Sequence, residues 1–165
     1  MRRWITVLCT LLLLLSCAGR MAAAPQPNAF PGGGLEEEGV YILIDKKANR
    51  LTLFLNGRPQ YSFPVATGRR KELTPVGRFR IVTKIVKPWY VRKQIPGGSP
   101  HNPLGTRWMG LDVPGTGGYT YGIHGTNRPY SIGHGASSGC IRMHNKDVEW
   151  LFRHVPIGTV VVIKE

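Results

Sequence analysis

The chain has 165 residues, 42% of them hydrophobic, with 21 glycines and 13 prolines. That length allows one domain plus an appendage, and the composition excludes both a disordered chain and a helical bundle. A formal charge of +13 turns the chain toward anionic partners, but it contains no long basic run and no nucleic-acid motif, so no nucleic-acid partner is expected.

Residues 1–24 read as a leader. Arg2 and Arg3 precede an apolar run from Trp4 to Ala18, and Ala22–Ala24 offer a small-residue cleavage site. The run is short for a spanning helix, which needs about 20 apolar residues. Export with cleavage near Ala24 is expected. A lipid anchor at Cys17, after Leu14, Leu15 and Ser16, and an uncleaved anchor are the alternatives. Without its leader the chain keeps 19 basic and 9 acidic residues, net +10, which suits an exported protein that meets the cell envelope. Cys9 and Cys17 belong to the leader, so Cys140 is expected to be the lone thiol of the mature domain. Such a thiol is reactive, bridged to another molecule or simply a small buried residue.

Residues 25–39 read as a linker, rich in Pro and Gly with acidic Glu36–Glu38. The domain follows at 40–165. Tyr41–Asp45 is a short apolar strand. Leu51, Leu53 and Leu55 alternate with Thr52 and Phe54, Asn56-Gly57 is a hairpin turn, and Tyr61, Phe63 and Val65 resume the alternation. Loops are predicted at 67–70 and 73–77, then a strand over 78–83. Residues 88–106 are long for a plain connection, hence either functional or mobile, and are a candidate lid. Short strands follow at 108–111 and 119–124, with a loop over 126–137. Val148, Leu151, Phe152 and Val155 share one face of a helix, with Asn145 as its expected N-cap, and Thr159–Ile163 is a last strand. The predicted fold is mainly β, a β-sandwich or barrel-like mixed sheet with one short helix after the cysteine motif.

The chemistry-bearing stretch is YGIHGTNRPYSIGHGASSGCIRMHNKD, residues 121–147. A thiol and an imidazole are the minimum set for nucleophilic acyl transfer. His124 and Cys140 are 16 positions apart, so adjacent strands must bring them together. His134 and His144 read as a loop residue and a capping or surface residue. With no His-x-x-x-His or Cys-x-x-Cys pair, no metal is expected.

The segments HGTNRPYSIG, SSGCIRMHNKD and LTPVGRF resemble the L,D-transpeptidase (YkuD-like) catalytic domain over roughly residues 40–165. The resemblance implies a cofactor-free enzyme of peptidoglycan biosynthesis that cross-links stem peptides, donor and acceptor, through a cysteine thioester. Cys140 is then the nucleophile and His124 the general base and acid, its ring oriented by a neighbouring backbone carbonyl rather than by an Asp. Gly125, Ser138 and Gly139 fall at the oxyanion and orienting positions; many relatives have His where this chain has Ser138. Arg142 lies two residues past Cys140, a strand spacing that shares a face, and is a candidate to bind a substrate carboxylate or to favour the thiolate, the alternative being a structural salt bridge. Tyr121, Thr126 and Asn127 are candidate cleft residues, and Trp89, Tyr90, Trp108 and Tyr119 either line the cleft or fill the core. Thr74–Gly77 matches a family turn that supports the architecture. The competing readings are an L,D-carboxypeptidase, in which water replaces the acceptor amine, and a non-catalytic wall-binding module. A monomer is expected, with membrane contact only through the leader or a lipid on Cys17.

Overall fold

The computed structural model describes residues 39–165. The leader at 1–24 and all but the last residue of the linker at 25–39 lie outside the described residues. Ten strands and one α-helix follow in chain order: β1 (Val40–Asp45), β2 (Arg50–Leu55), β3 (Arg58–Pro64), β4 (Thr67–Gly68), β5 (Gly77–Val86), β6 (Arg107–Leu111), β7 (Gly122–His124), β8 (Gly135–Ser137), β9 (Ile141–Arg142), α1 (Asn145–His154) and β10 (Val160–Lys164).

Eight strands form one mixed sheet in the order β3-β2-β1-β10-β5-β6-β7-β9, while β4 and β8 pair separately. The β2–β3 hairpin turns at Asn56 and Gly57, both at positive φ, the conformation a two-residue turn needs to match strand twist. The sheet curls. β5 pairs with β10 through residues 77–80 and with β6 through 81–86, with an irregular register between Ile81 and Thr83; such an irregularity bends a strand. The two sheet edges meet where Ala66 and Arg142 exchange backbone hydrogen bonds, both 2.9 Å. The result is a mainly β, barrel-like mixed sheet with one short helix after the cysteine, as the alternation predicts.

Strand periodicity sorts the side chains. Ile42 and Ile44 of β1, Leu51 and Leu53 of β2, and Val161 and Ile163 of β10 face one continuous core, joined by Ile123, Ile141 and Met143 around the site. Val148, Leu151 and Val155 bring the helix onto the same core. Each fully buried aliphatic side chain contributes about 1.5–3 kcal/mol. On the other face, Tyr41 stacks on Phe54 with centroids 4.8 Å apart, beside Val160 and Val162.

Local expectations change in two loops, before β7 and at the helix cap. Tyr119–Tyr121 lie before β7, because Gly115, Gly117 and Gly118 take positive φ and Gly118 gives its carbonyl to the Trp108 indole at 3.0 Å. The stretch after Thr67 is not all loop, since Thr67–Gly68 forms β4; likewise the 126–137 loop ends in β8. The helix N-cap position is His144, which makes no side-chain cap bond, and Asn145 is the first helical residue, its side chain bonded elsewhere. The 88–106 segment is built around a buried asparagine: Asn102 Nδ2 donates to the carbonyls of Pro88 and Pro96, and its Oδ1 accepts the Leu104 N–H.

Candidate active site

Parallel pairing of β7 and β9 sets Ile123 beside Ile141 and His124 beside Arg142. His124 and Arg142, paired in register, share a face of the sheet, Cys140 lies one residue before β9, and the Arg142 charge acts on both His124 and Cys140. The pairing thus brings the three together from both halves of the motif.

His124 is buried. Its Nδ1 lies 2.6 Å from the Gly125 carbonyl oxygen. A carbonyl only accepts, so the Gly125 carbonyl favours the tautomer with the proton on Nδ1 and the lone pair on Nε2. On one side of the ring, Trp108 stacks with centroids 5.6 Å apart and planes 21° off parallel. Burial holds the imidazole pKa down to about 4; the Gly125 and Leu104 carbonyls pull it up, and the Arg142 charge adds to the depression. At neutral pH the ring is therefore an uncharged base.

Cys140 is half-buried and unbridged. Its thiol donates to the Thr120 carbonyl at 3.3 Å. Burial pushes the thiol pKa up, while the Gly122 backbone N–H and the Arg142 and Arg92 charges draw it down. The resting pair is thus thiol and neutral imidazole rather than thiolate and imidazolium.

The turn that carries the cysteine is pinned by hydroxyls. Thr74 Oγ1 donates to the Gly139 carbonyl at 2.9 Å and accepts the Gly68 N–H at 2.9 Å. Ser137 Oγ accepts the Gly139 N–H at 3.0 Å and donates to the Cys140 carbonyl at 2.6 Å. In a trans peptide the carbonyl and the next N–H point opposite ways. With the Gly139 carbonyl held by Thr74, the Cys140 N–H points away from Thr74, and no acceptor takes it among the described residues. Gly139 sits at φ +134°, and a Cβ there would strike the Leu73 carbonyl oxygen and the Tyr121 ring. Gly125 is equally confined, because a Cβ would run into Asn145 Oδ1.

Arg142 is half-buried, with Arg128 near enough to repel its charge. No carboxylate lies within ion-pair distance of it among the described residues, so the salt-bridge alternative has no partner there. The other candidates separate by their contacts. Ser138 is exposed, and Ser137 rather than Ser138 ties the turn. Tyr121 is half-buried against Gly139. Thr126 is buried, and its hydroxyl accepts the Arg128 N–H at 2.9 Å. Asn127 is exposed and donates to the His101 carbonyl at 3.0 Å, tying this loop to the 88–106 segment. Trp108 is core and buttress, whereas Trp89 and Tyr119 are exposed. His134 is exposed and His144 half-buried. No three His, Cys, Asp or Glu side chains converge on a metal-sized site among the described residues.

The sequence marks Ser137 only as one of the small residues in the turn before Cys140, and the true task of Asn145 does not stand out in it. Asn145 Oδ1 accepts the Thr126 N–H at 3.0 Å, fixing the chain just past His124 from 19 residues away. The family turn at Thr74 signals a supporting role, but not its partner 65 residues on.

A family model described as the L,D-transpeptidase catalytic domain, YkuD, matches residues 39–163. Two Bacillus subtilis proteins that carry L,D-transpeptidase names resemble the chain. YqjB is 41% identical over 158 residues, covering 96% of this chain and 84% of its own length. YkuD is 43% identical over 139 residues, covering 84% of this chain and 70% of its own. Among solved structures, L,D-transpeptidase 3 from Mycobacterium tuberculosis gives a TM-score of 0.60 at 20% identity, over 77% of this chain and 61% of that one. An Enterococcus faecium L,D-transpeptidase, solved as a cysteine-to-serine variant, gives 0.60 at 22% identity, over 77% of this chain and 50% of that one. The chain spans only half to three-fifths of these solved chains, and the likeness to them is one of fold.

Proposed function

Since the chain belongs to the L,D-transpeptidase (YkuD) family, we propose that it is an exported acyltransferase that cross-links peptidoglycan stem peptides with Cys140 as nucleophile. The observation that carries this reading is the β7–β9 register, which sets His124 beside Arg142, whose charge reaches both the neutral imidazole and the half-buried Cys140 thiol.

The thiol turns from the Thr120 carbonyl toward Nε2 of His124. As Sγ attacks the carbonyl on the L-residue side of an L,D peptide bond, His124 takes its proton. The developing oxyanion is received by the Cys140 N–H, which Thr74 aims through the Gly139 carbonyl. His124 then gives the proton to the departing amine of the terminal D-residue, leaving an acyl thioester. The side-chain amine of a second stem, such as that of a diamino acid, attacks the thioester, and Cys140 is released as thiol. Arg142, a cation without a carboxylate partner beside the thiol, holds a substrate carboxylate. Export rests on the basic and apolar leader and on the net positive charge of residues 25–165; lipid attachment at Cys17 is the variant of it.

Incubating the purified protein with disaccharide-tetrapeptide muropeptides and reading the products by mass spectrometry tests the proposal. Dimers short of one terminal D-residue support it. Trimmed monomers alone would assign the carboxypeptidase reading, and unchanged monomers the wall-binding module. Cys140→Ala is expected to give no product; product from that variant removes Cys140 as nucleophile.

A further inference from the structure

Two cavities adjoin beyond the catalytic residues. One, of about 590 Å³, is bordered by Thr126, Asn127, His144 and Lys146, among others, just past His124. At Lys146 it meets a second, of about 260 Å³, lined by Tyr61, Phe63, Lys146, Asp147 and Trp150. Tyr61 and Phe63 lie two positions apart on β3, so both rings point to one side of that edge strand. Trp150 of α1 meets them, with centroids 4.3 Å from Tyr61 and 5.6 Å from Phe63 at tilted angles, and His154 stacks behind it at 4.0 Å. Tyr61 remains 52% exposed. Neither the Lys146 ammonium nor the Asp147 carboxylate has a side-chain partner among the described residues.

This mixture selects its occupant. A purely apolar partner would cover the rings but strip water from an unpaired ammonium and an unpaired carboxylate, which is costly. A pyranose ring satisfies both demands. Its C–H face lies on an aromatic ring, and its hydroxyl and acetamido groups take hydrogen bonds from Lys146 and give them to Asp147. The first cavity runs from the Thr126–Asn127 segment just past His124 to Lys146, where the aromatic corner begins, so the corner is continuous with the ground beside the catalytic pair.

We propose that the Tyr61–Phe63–Trp150 corner, with Lys146 and Asp147, is a subsite for an N-acetylated hexosamine unit of the glycan that carries the stem peptide. The subsite rests on the peptidoglycan reading above and adds to it a recognition of the glycan itself. Free stem peptides are then poorer substrates than glycan-linked ones, through KM.

The test compares a disaccharide-tetrapeptide with the same tetrapeptide free of sugar, using Tyr61→Ala and Tyr61→Phe. Tyr61→Ala is expected to raise KM for the glycan-linked substrate roughly three- to tenfold and to leave the free peptide unchanged, with Tyr61→Phe close to the parent. In parallel, tetra-N-acetylchitotetraose is titrated into the Cys140→Ala protein and followed by NMR. Shifts at the Trp150 indole and the Lys146 amide are expected. Equal effects on both substrates, or no shift at Trp150, overturn the proposal. So does a dimer that Tyr61→Ala dissolves without any sugar response, which would make the corner a contact between copies of the chain. If both substrates are inert while the sugar moves Trp150, the transferase reading fails and the subsite stands.

Discussion

Thr74→Val separates positioning from chemistry. The hydroxyl is buried, 1% exposed, and makes two 2.9 Å hydrogen bonds, to the Gly139 carbonyl and from the Gly68 N–H. Valine fills the same volume, so no cavity opens; the loss is the two bonds. Each buried backbone group left unpaired costs about 1–3 kcal/mol, so the variant is expected to lose roughly 2–6 kcal/mol of stability in urea unfolding. The Gly139–Cys140 peptide, freed from Thr74, no longer aims the Cys140 N–H. Loss of one oxyanion donor lowers kcat about 10²–10³-fold, and partial misaiming is expected to reach at least tenfold. KM for the stem peptide should hardly change, because Thr74 is buried and presents no surface to a substrate. Thr74→Ser keeps both bonds and is expected to restore kcat. The assay is steady-state acyl transfer at a temperature where urea titration shows the variant folded. Full kcat in folded Thr74→Val would refute the reasoning, as would a serine variant no better than valine.

The remaining predictions concern charge and proton balance. His124 has a folded pKa of about 4 against an ordinary value of about 6.5; its neutral form is favoured by folding, so its contribution is complete above pH 6.5 and lost as pH falls toward 4. That contribution is about 3 kcal/mol, and His124→Gln should flatten the stability profile across this window; an unchanged slope would place the acid sensitivity elsewhere. Arg142→Lys is expected to lower kcat/KM about ten- to a hundredfold with the fold intact, and unchanged turnover would take Arg142 out of the site. Lys84 Nζ donates to the Phe152 and Val155 carbonyls, both 2.6 Å, at the C-terminus of α1; Lys84→Met is expected to cost about 1–3 kcal/mol in urea unfolding, with activity retained below the transition.

Much of the fold is legible in the chain because it is local. Period-two runs mark β2, β3 and β5, short apolar or β-branched runs mark β1 and β10, Asn56-Gly57 marks the hairpin, and the Val148–Leu151–Val155 stripe marks α1. The strand order is not local: β10 pairs parallel with β1 from the far end of the domain, and no stretch of residues announces that. The strands β4, β8 and β9 have two or three residues each, too few for alternation to register, yet they carry the cysteine turn. The site divides in the same way. His124 and Cys140 stand out by chemical type and spacing. Thr74, Ser137, Asn145 and Trp108 act through a hydroxyl, an amide or a ring face whose partner is chosen by folding. Asn145 shows the trap, since its position before a helical stripe predicts a cap, while the structure spends its oxygen on the Thr126 N–H.

The most direct measurement is the intact mass of the protein during turnover of a tetrapeptide stem without acceptor. Covalent catalysis by Cys140 predicts an added mass equal to the stem less its terminal D-residue, located by fragmentation on the peptide that holds Cys140 and discharged when an acceptor amine is added. Product accumulating with no adduct at any stage, or an adduct on another residue, would contradict it.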